Sequence, residues 1–215
     1  MSWQVPENTV VTLLQRLYDH SRLTYRHSIH VAAISYQLAE ELGLPKYRVR
    51  RIFWGALVHD LGKLAVDREI LHKKGPLTED EWKKIYEHPR EGCRLLPRGR
   101  EWQDLREMVL YHHERWDGRG YSGLCQGEIP LGARIIALAD ALDAMTSSRP
   151  YQKRREMLAA LEEVKRCSGS QFDPQVVEAL FSLTMNLLKG RPRSASYKVN
   201  EILKRTTWIF NSNEL

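Results

Sequence analysis

WGALVHDLGK, residues 54–63, sets an apolar run directly against the adjacent polar pair His59-Asp60. Ile52, Gly55, Ala56 and His59 recur at the three-to-four-residue spacing of one helix face, so the pair closes a helix on its apolar side. The same period continues outward in both directions. Upstream, His27, Val31, Ile34, Leu38 and Leu42 share a stripe, and Gly43 supplies a stop. Downstream, Thr78 and Glu81 make a T-x-x-E capping box for a helix running toward His88-Pro89. Leu105, Met108, Val109 and His112 occupy one face of a further helix. Pro130 precedes a long helix from Leu131 to Ser147, and Asp173-Pro174 opens another that ends near Gly190. Alternating strand patterns are missing, so the expected class is all-α. Two loops interrupt the helices: Lys73 to Leu77, and Arg115 to Ile129 with Gly118, Gly120, Gly123 and Gly127.

At 215 residues and 42% hydrophobic content, the chain fits one large domain, or one domain with a tail, and can bury a core. No apolar run reaches the roughly 18 residues that cross a bilayer, and the N-terminus lacks the pattern of a signal peptide. A cytoplasmic protein is expected. Cys93, Cys125 and Cys167 form no CxxC pair, which argues against disulfides and a thiolate zinc site and leaves ordinary thiols in or near the core. The formal charge of +6 points only weakly to an anionic partner.

The chemistry lies in the histidines. His27, His59, His88, His112 and His113, with Asp60 and Asp140, all fall on or beside apolar faces. Burying so many polar groups is costly unless they satisfy one another or bind metal, and metal is the cheaper explanation. Imidazole and carboxylate donors without thiolate suit iron, manganese, zinc or nickel. Seven donors exceed the needs of one tetrahedral zinc and favour two ions, with Asp60 bridging cations about 3.5–4 Å apart. Such a pair activates water and grips both oxygens of an in-line displacement at phosphorus. A rough charge count leaves the centre slightly positive, suited to an anionic substrate.

HDLGK (59–63) resembles the signature of the HD phosphohydrolase superfamily. HHERWDGRGYSG (112–123) and IPLGARIIALADALDAMTSSRPY (129–151) look like its HD-GYP branch, and ILHKKGPLTEDEWKKIYEHPREG (70–92) and SGSQFDPQVV (168–177) fit as well. The resemblance runs from about His27 to Asp173. It implies a compact HD-domain helical bundle around a two-metal centre of iron or manganese. It also implies a phosphodiesterase that hydrolyses cyclic di-GMP to pGpG or GMP. Carried over by position, the ligands are His27, His59, Asp60, His88, His112, His113 and Asp140. Asp60 and Lys63 act in catalysis, Lys63 on the phosphate. Gly120 and Tyr121 shape the substrate mouth, and Arg149 and Lys153 are expected to hold substrate.

The chain departs from the family pattern at three places. The GYP triplet reads Gly120-Tyr121-Ser122, so the loop loses proline rigidity. Leu23 stands where some members place a glutamate for a third metal, which favours two ions here. Gln152 replaces a basic residue, with Lys153 following it. His20 and His72 are expected to be solvated and His30 to lie outside the site, while Glu114 either orients a histidine or faces solvent. The expected layout is an N-terminal helix at 1–23, the catalytic domain at 24–188 and a basic tail or appended helix at 189–215. No sensory segment is visible, so regulation would come from a protein partner, a homodimer or expression level. The alternative readings are hydrolysis of another phosphoester, such as a nucleotide or cyclic GMP-AMP, and a catalytically weak cyclic-dinucleotide receptor. Neither a nucleic-acid polymer nor a membrane-spanning segment is expected.

Overall fold

The computed structural model describes residues 7–147 and 156–189. The helices are α1 (Glu7–His20), α2 (Arg22–Glu41), α3 (Lys46–Val58), α4 (Arg68–Leu71), α5 (Glu79–Tyr86), α6 (His88–Leu95), α7 (Gln103–Tyr111), α8 (Leu131–Thr146), α9 (Met157–Arg166) and α10 (Pro174–Leu188). A 3-10 turn, Leu61–Ala65, follows α3 directly. Among the described residues there is no strand, only one isolated bridge between Ser168 and Phe172.

Helices α2, α3 and α8 form the centre of the bundle, with α2 packed along both of the others. From Ile52 to Val58 every residue of α3 is buried, so the helix is apolar around its whole circumference there. Helix α1 lays Val10, Leu13, Leu14 and Leu17 onto α2, α3 and the 61–65 turn. It stops at His20, where the Ser21 hydroxyl caps α2 by accepting from the Thr24 amide. Leu23 therefore belongs to α2 and not to the N-terminal helix.

The capping box at Thr78 forms: its hydroxyl accepts the Glu81 amide at 3.3 Å, and Glu81 reaches back to the Thr78 amide at 2.7 Å. The helix it starts does not run through His88-Pro89 but breaks at Glu87 into α5 and α6. Pro89 explains the break. It has no N–H for the Ile85 carbonyl, and its ring crowds that oxygen. His88 Nδ1 takes the carbonyl instead, at 2.7 Å.

Gly62 permits the closest approach in the molecule's site region. A Cβ there would fall 1.8 Å from the His88 carbonyl oxygen and 2.5 Å from the Gly92 amide nitrogen. Only a glycine lets the turn after Asp60 lie flat on α6, which carries His88. The fold thereby brings two distant ligand candidates together through backbone contact.

Candidate metal centre

Three histidines are built the same way. His59 Nδ1 lies 2.7 Å from the Ala56 carbonyl, His88 Nδ1 2.7 Å from that of Ile85, and His112 Nδ1 2.7 Å from that of Val109. Each carbonyl is in the last turn of its helix, where the intrahelical donor has run out. A carbonyl only accepts, so each Nδ1 must carry the proton and each Nε2 presents a lone pair. Burial holds His59, His112 and His113 below the ordinary imidazole range and lowers His88 to about 3, despite the Asp60 charge beside it. Four neutral rings thus converge.

Their Nε2 atoms fit a cation. His88 Nε2 and His112 Nε2 lie 3.2 Å apart with no proton to share. Two nitrogens about 2.1 Å from one ion, at an angle near 100°, are separated by about that distance. His59 Nε2 is buried without a hydrogen-bond partner, a costly state that a cation would relieve. The donor atoms form two groups, His88 with His112 and His113, and His27 with His59 and Asp60, each within 4.8 Å.

Asp60 faces both groups. Its Oδ1 is 3.3 Å from His88 Nε2, while its Oδ2 is 3.6 Å from His59 Nε2 and 3.8 Å from His27 Nε2. Lys63 Nζ donates to Oδ2 at 2.6 Å. Burial works against the Asp60 charge, yet Lys63 and the surrounding histidines hold its carboxyl well below the usual range. Asp140 Oδ1 is 2.9 Å from His27 Nε2. All seven ligand candidates read from the sequence therefore meet in one place, drawn from α2, the ends of α3 and α7, the start of α6, and α8.

The family pattern described as HD domain matches residues 5–176. The chain belongs to the HD domain family. A cyclic di-GMP phosphodiesterase of Thermotoga maritima is 39% identical over 178 residues, 81% of this chain and 48% of that protein. The cyclic di-GMP phosphodiesterase response regulator RpfG of Xanthomonas campestris pv. campestris is 46% identical over 154 residues, 70% of this chain and 40% of its own. This HD domain chain thus spans about half the length, or less, of these relatives. A solved cyclic GMP-AMP-specific phosphodiesterase of V. cholerae shares the fold, with a TM-score of 0.63 at 19% identity over 93% of this chain and 52% of that one.

The HD domain also contains groups that sequence reading missed or misplaced. Asp143, one turn beyond Asp140 on α8, is buried and accepts from His27 Nδ1 at 2.6 Å, His30 Nδ1 at 3.1 Å and the Ser147 hydroxyl at 2.7 Å. Burial would lower His27, but its hydrogen bonds to Asp140 and Asp143 raise it to about 9. His30 stays outside the ligand set, half exposed, and touches the centre only through Asp143. Glu114 does neither of the things expected of it. It is buried, and its carboxylate accepts the Ser122 amide at 2.6 Å and the Leu124 amide at 3.0 Å, pinning the glycine loop. Gly120 lies on Glu114 so closely that a Cβ would sit 2.5 Å from the Glu114 Cα.

His72 is exposed as expected, whereas His20 is half-buried with Nε2 2.9 Å from the Val66 carbonyl, tying α1 to the 61–65 turn. Cys93 and Cys167 are half-buried, and Cys125 is exposed rather than near the core. Arg149 and Lys153, expected to hold substrate, lie outside the described residues, as does the tail beyond Lys189. No helix among the described residues is long and apolar enough to cross a membrane.

Asp143 provides a test of the centre's outer layer. Asp143→Ala should weaken metal affinity by about 10–100-fold, the usual effect of removing a carboxylate that orients a ligand histidine. Metal titration against a competing chelator reads it directly, and an unchanged affinity would reduce Asp143 to a packing role.

Proposed function

We propose that this domain is a metal-dependent phosphodiesterase that hydrolyses cyclic di-GMP to pGpG or GMP at a two-ion centre of iron or manganese. The observation that carries the reading is Asp60, whose two oxygens face two separate groups of imidazole nitrogens. The identity of 39–46% to cyclic di-GMP phosphodiesterases, together with the HD-GYP resemblance of residues 112–151, supports the substrate.

His27, His59, His88, His112, His113, Asp60 and Asp140 would hold the ions. When bound, divalent cations supply Lewis acidity at phosphoryl oxygens and lower the pKa of water. The chain's own residues do the rest. Backbone carbonyls of three helix ends fix the imidazole tautomers, and Asp143 fixes the His27 ring. Burial keeps the centre in a low-dielectric setting, where charge stabilisation is strong. Lys63, 22% exposed at its side chain, brings a cationic group to the mouth, in reach of a phosphate. Gly120 and Tyr121, on the loop pinned by Glu114, shape that mouth, and Arg149 and Lys153 hold the substrate.

Lys63→Ala should lower turnover by about 100-fold or more while shifting the melting temperature by only a few degrees, because the Lys63–Asp60 pair is partly solvated. Equal losses of both would make Lys63 structural.

Turnover of cyclic di-GMP by anaerobically purified protein with manganese or ferrous iron tests the function as a whole. Hydrolysis confined to cyclic GMP-AMP or a simple nucleotide would change the substrate and leave the chemistry. Binding without hydrolysis would make the domain a receptor.

A further inference from the structure

Helix α5 buries none of its residues, yet it carries two large aromatic side chains, Trp82 and Tyr86, each 52% exposed. They are four residues apart and so share one helix face. Tyr86 does not stand alone. Its ring stacks on that of Tyr121 with centroids 3.9 Å apart and planes 17° from parallel, and Tyr121 stacks on His113 at 4.9 Å and 29°. The three rings form a ladder from a candidate metal ligand to the protein surface.

The ladder has a rigid base. His113 belongs to the donor group with His88 and His112, and the loop bearing Tyr121 is fixed on both sides of Ser122 by the buried Glu114 carboxylate. Tyr86 lies two residues before His88, whose ring is itself fixed by the Ile85 carbonyl. The outermost ring is thereby held at the edge of the centre while half of its surface remains open to water. Ring surface of this kind is unfavourable in water, and the flat faces of purines cover it well. A nucleotide held by its phosphate beside His113 would carry its base one sugar away, and a base turned toward the ladder would meet these rings.

We propose that Tyr86, backed by Tyr121 and flanked by Trp82, is a stacking platform for one purine base of the substrate. The assignment rests on the phosphodiesterase reading above. It makes Tyr86 a binding residue with no part in bond breaking, so its loss falls on substrate affinity.

The test is steady-state kinetics of the metal-loaded full chain on cyclic di-GMP. Tyr86→Ala should raise KM about ten-fold and leave kcat within about two-fold, with metal content and melting temperature unchanged. Tyr86→Phe should restore the native KM, whereas Tyr86→Leu, equally apolar but without a ring face, should not. An unchanged KM in Tyr86→Ala overturns the platform, and so does rescue by leucine. A fall in kcat and metal content at constant KM also overturns it, because Tyr86 would then be a prop for His88. Native protein without turnover overturns the phosphodiesterase reading, and the platform with it.

Discussion

Asp60→Ala protein should lose metal and hydrolysis together, with turnover down by more than about 100-fold, while its helical signal persists. The effect exceeds that of any outlying residue because Asp60 is where the two donor groups meet. Without its carboxylate, His88 on one side and His27 and His59 on the other lose their common negative partner. The two donor groups then lack the one carboxylate that faces both, and two cations held close together would lose the negative charge between them. The fold survives because the buried apolar residues of α2, α3 and α8 are untouched, although taking Asp60 from its pair with Lys63 lowers stability. Metal analysis, circular dichroism and turnover on one preparation check all three parts. Retained metal with lost turnover would confine Asp60 to the chemical step.

Gly62→Ala should damage the protein through geometry alone. The added methyl would meet the His88 carbonyl and the Gly92 amide, which are backbone groups and cannot swing aside as a side chain can. Overpacking of this kind costs about 3 kcal/mol or more, equivalent to a melting temperature lower by about 6–12 °C in a chain of this size. It also pushes α6 away from the 61–65 turn, widening the 3.3 Å approach of Asp60 to His88. Metal affinity should therefore fall along with stability. Thermal unfolding with and without metal measures both, and a variant as stable as the native protein would show that the turn can shift without cost.

These two residues stand in the same short motif, and both roles depend on partners far along the chain. That separation marks the limit of what the sequence conveyed. The candidate ligand histidines were legible because each lies on or beside an apolar face, most of them at a helix end, where a polar ring needs a reason to be buried. The long helix Leu131–Thr146 and the cap at Asp173 were legible from their proline and aspartate signals. Asp143 was present in ALADALDAM on the same face as Asp140, but its partners His27 and His30 are more than 110 residues away. No local pattern distinguishes an aspartate that binds a cation from one that steadies a histidine. Glu114 was misjudged for a related reason. Its neighbours in sequence are histidines, but its neighbours in space are the amides of a loop that turns back over it. The break at Glu87 could have been read from Pro89, whose missing N–H frees a carbonyl for His88. The Tyr86–Tyr121 stack had no such signal, since it joins a helix to a glycine loop 35 positions later.

The central claim is that seven side chains and one bridging carboxylate among them hold a pair of ions. Anaerobic purification followed by elemental analysis tests it most directly, with cyclic di-GMP turnover measured on the same sample. Close to two metal ions per chain are expected, mostly iron or manganese, with hydrolysis that disappears when they are stripped and returns when they are restored. A reproducible single zinc per chain with full activity would contradict it.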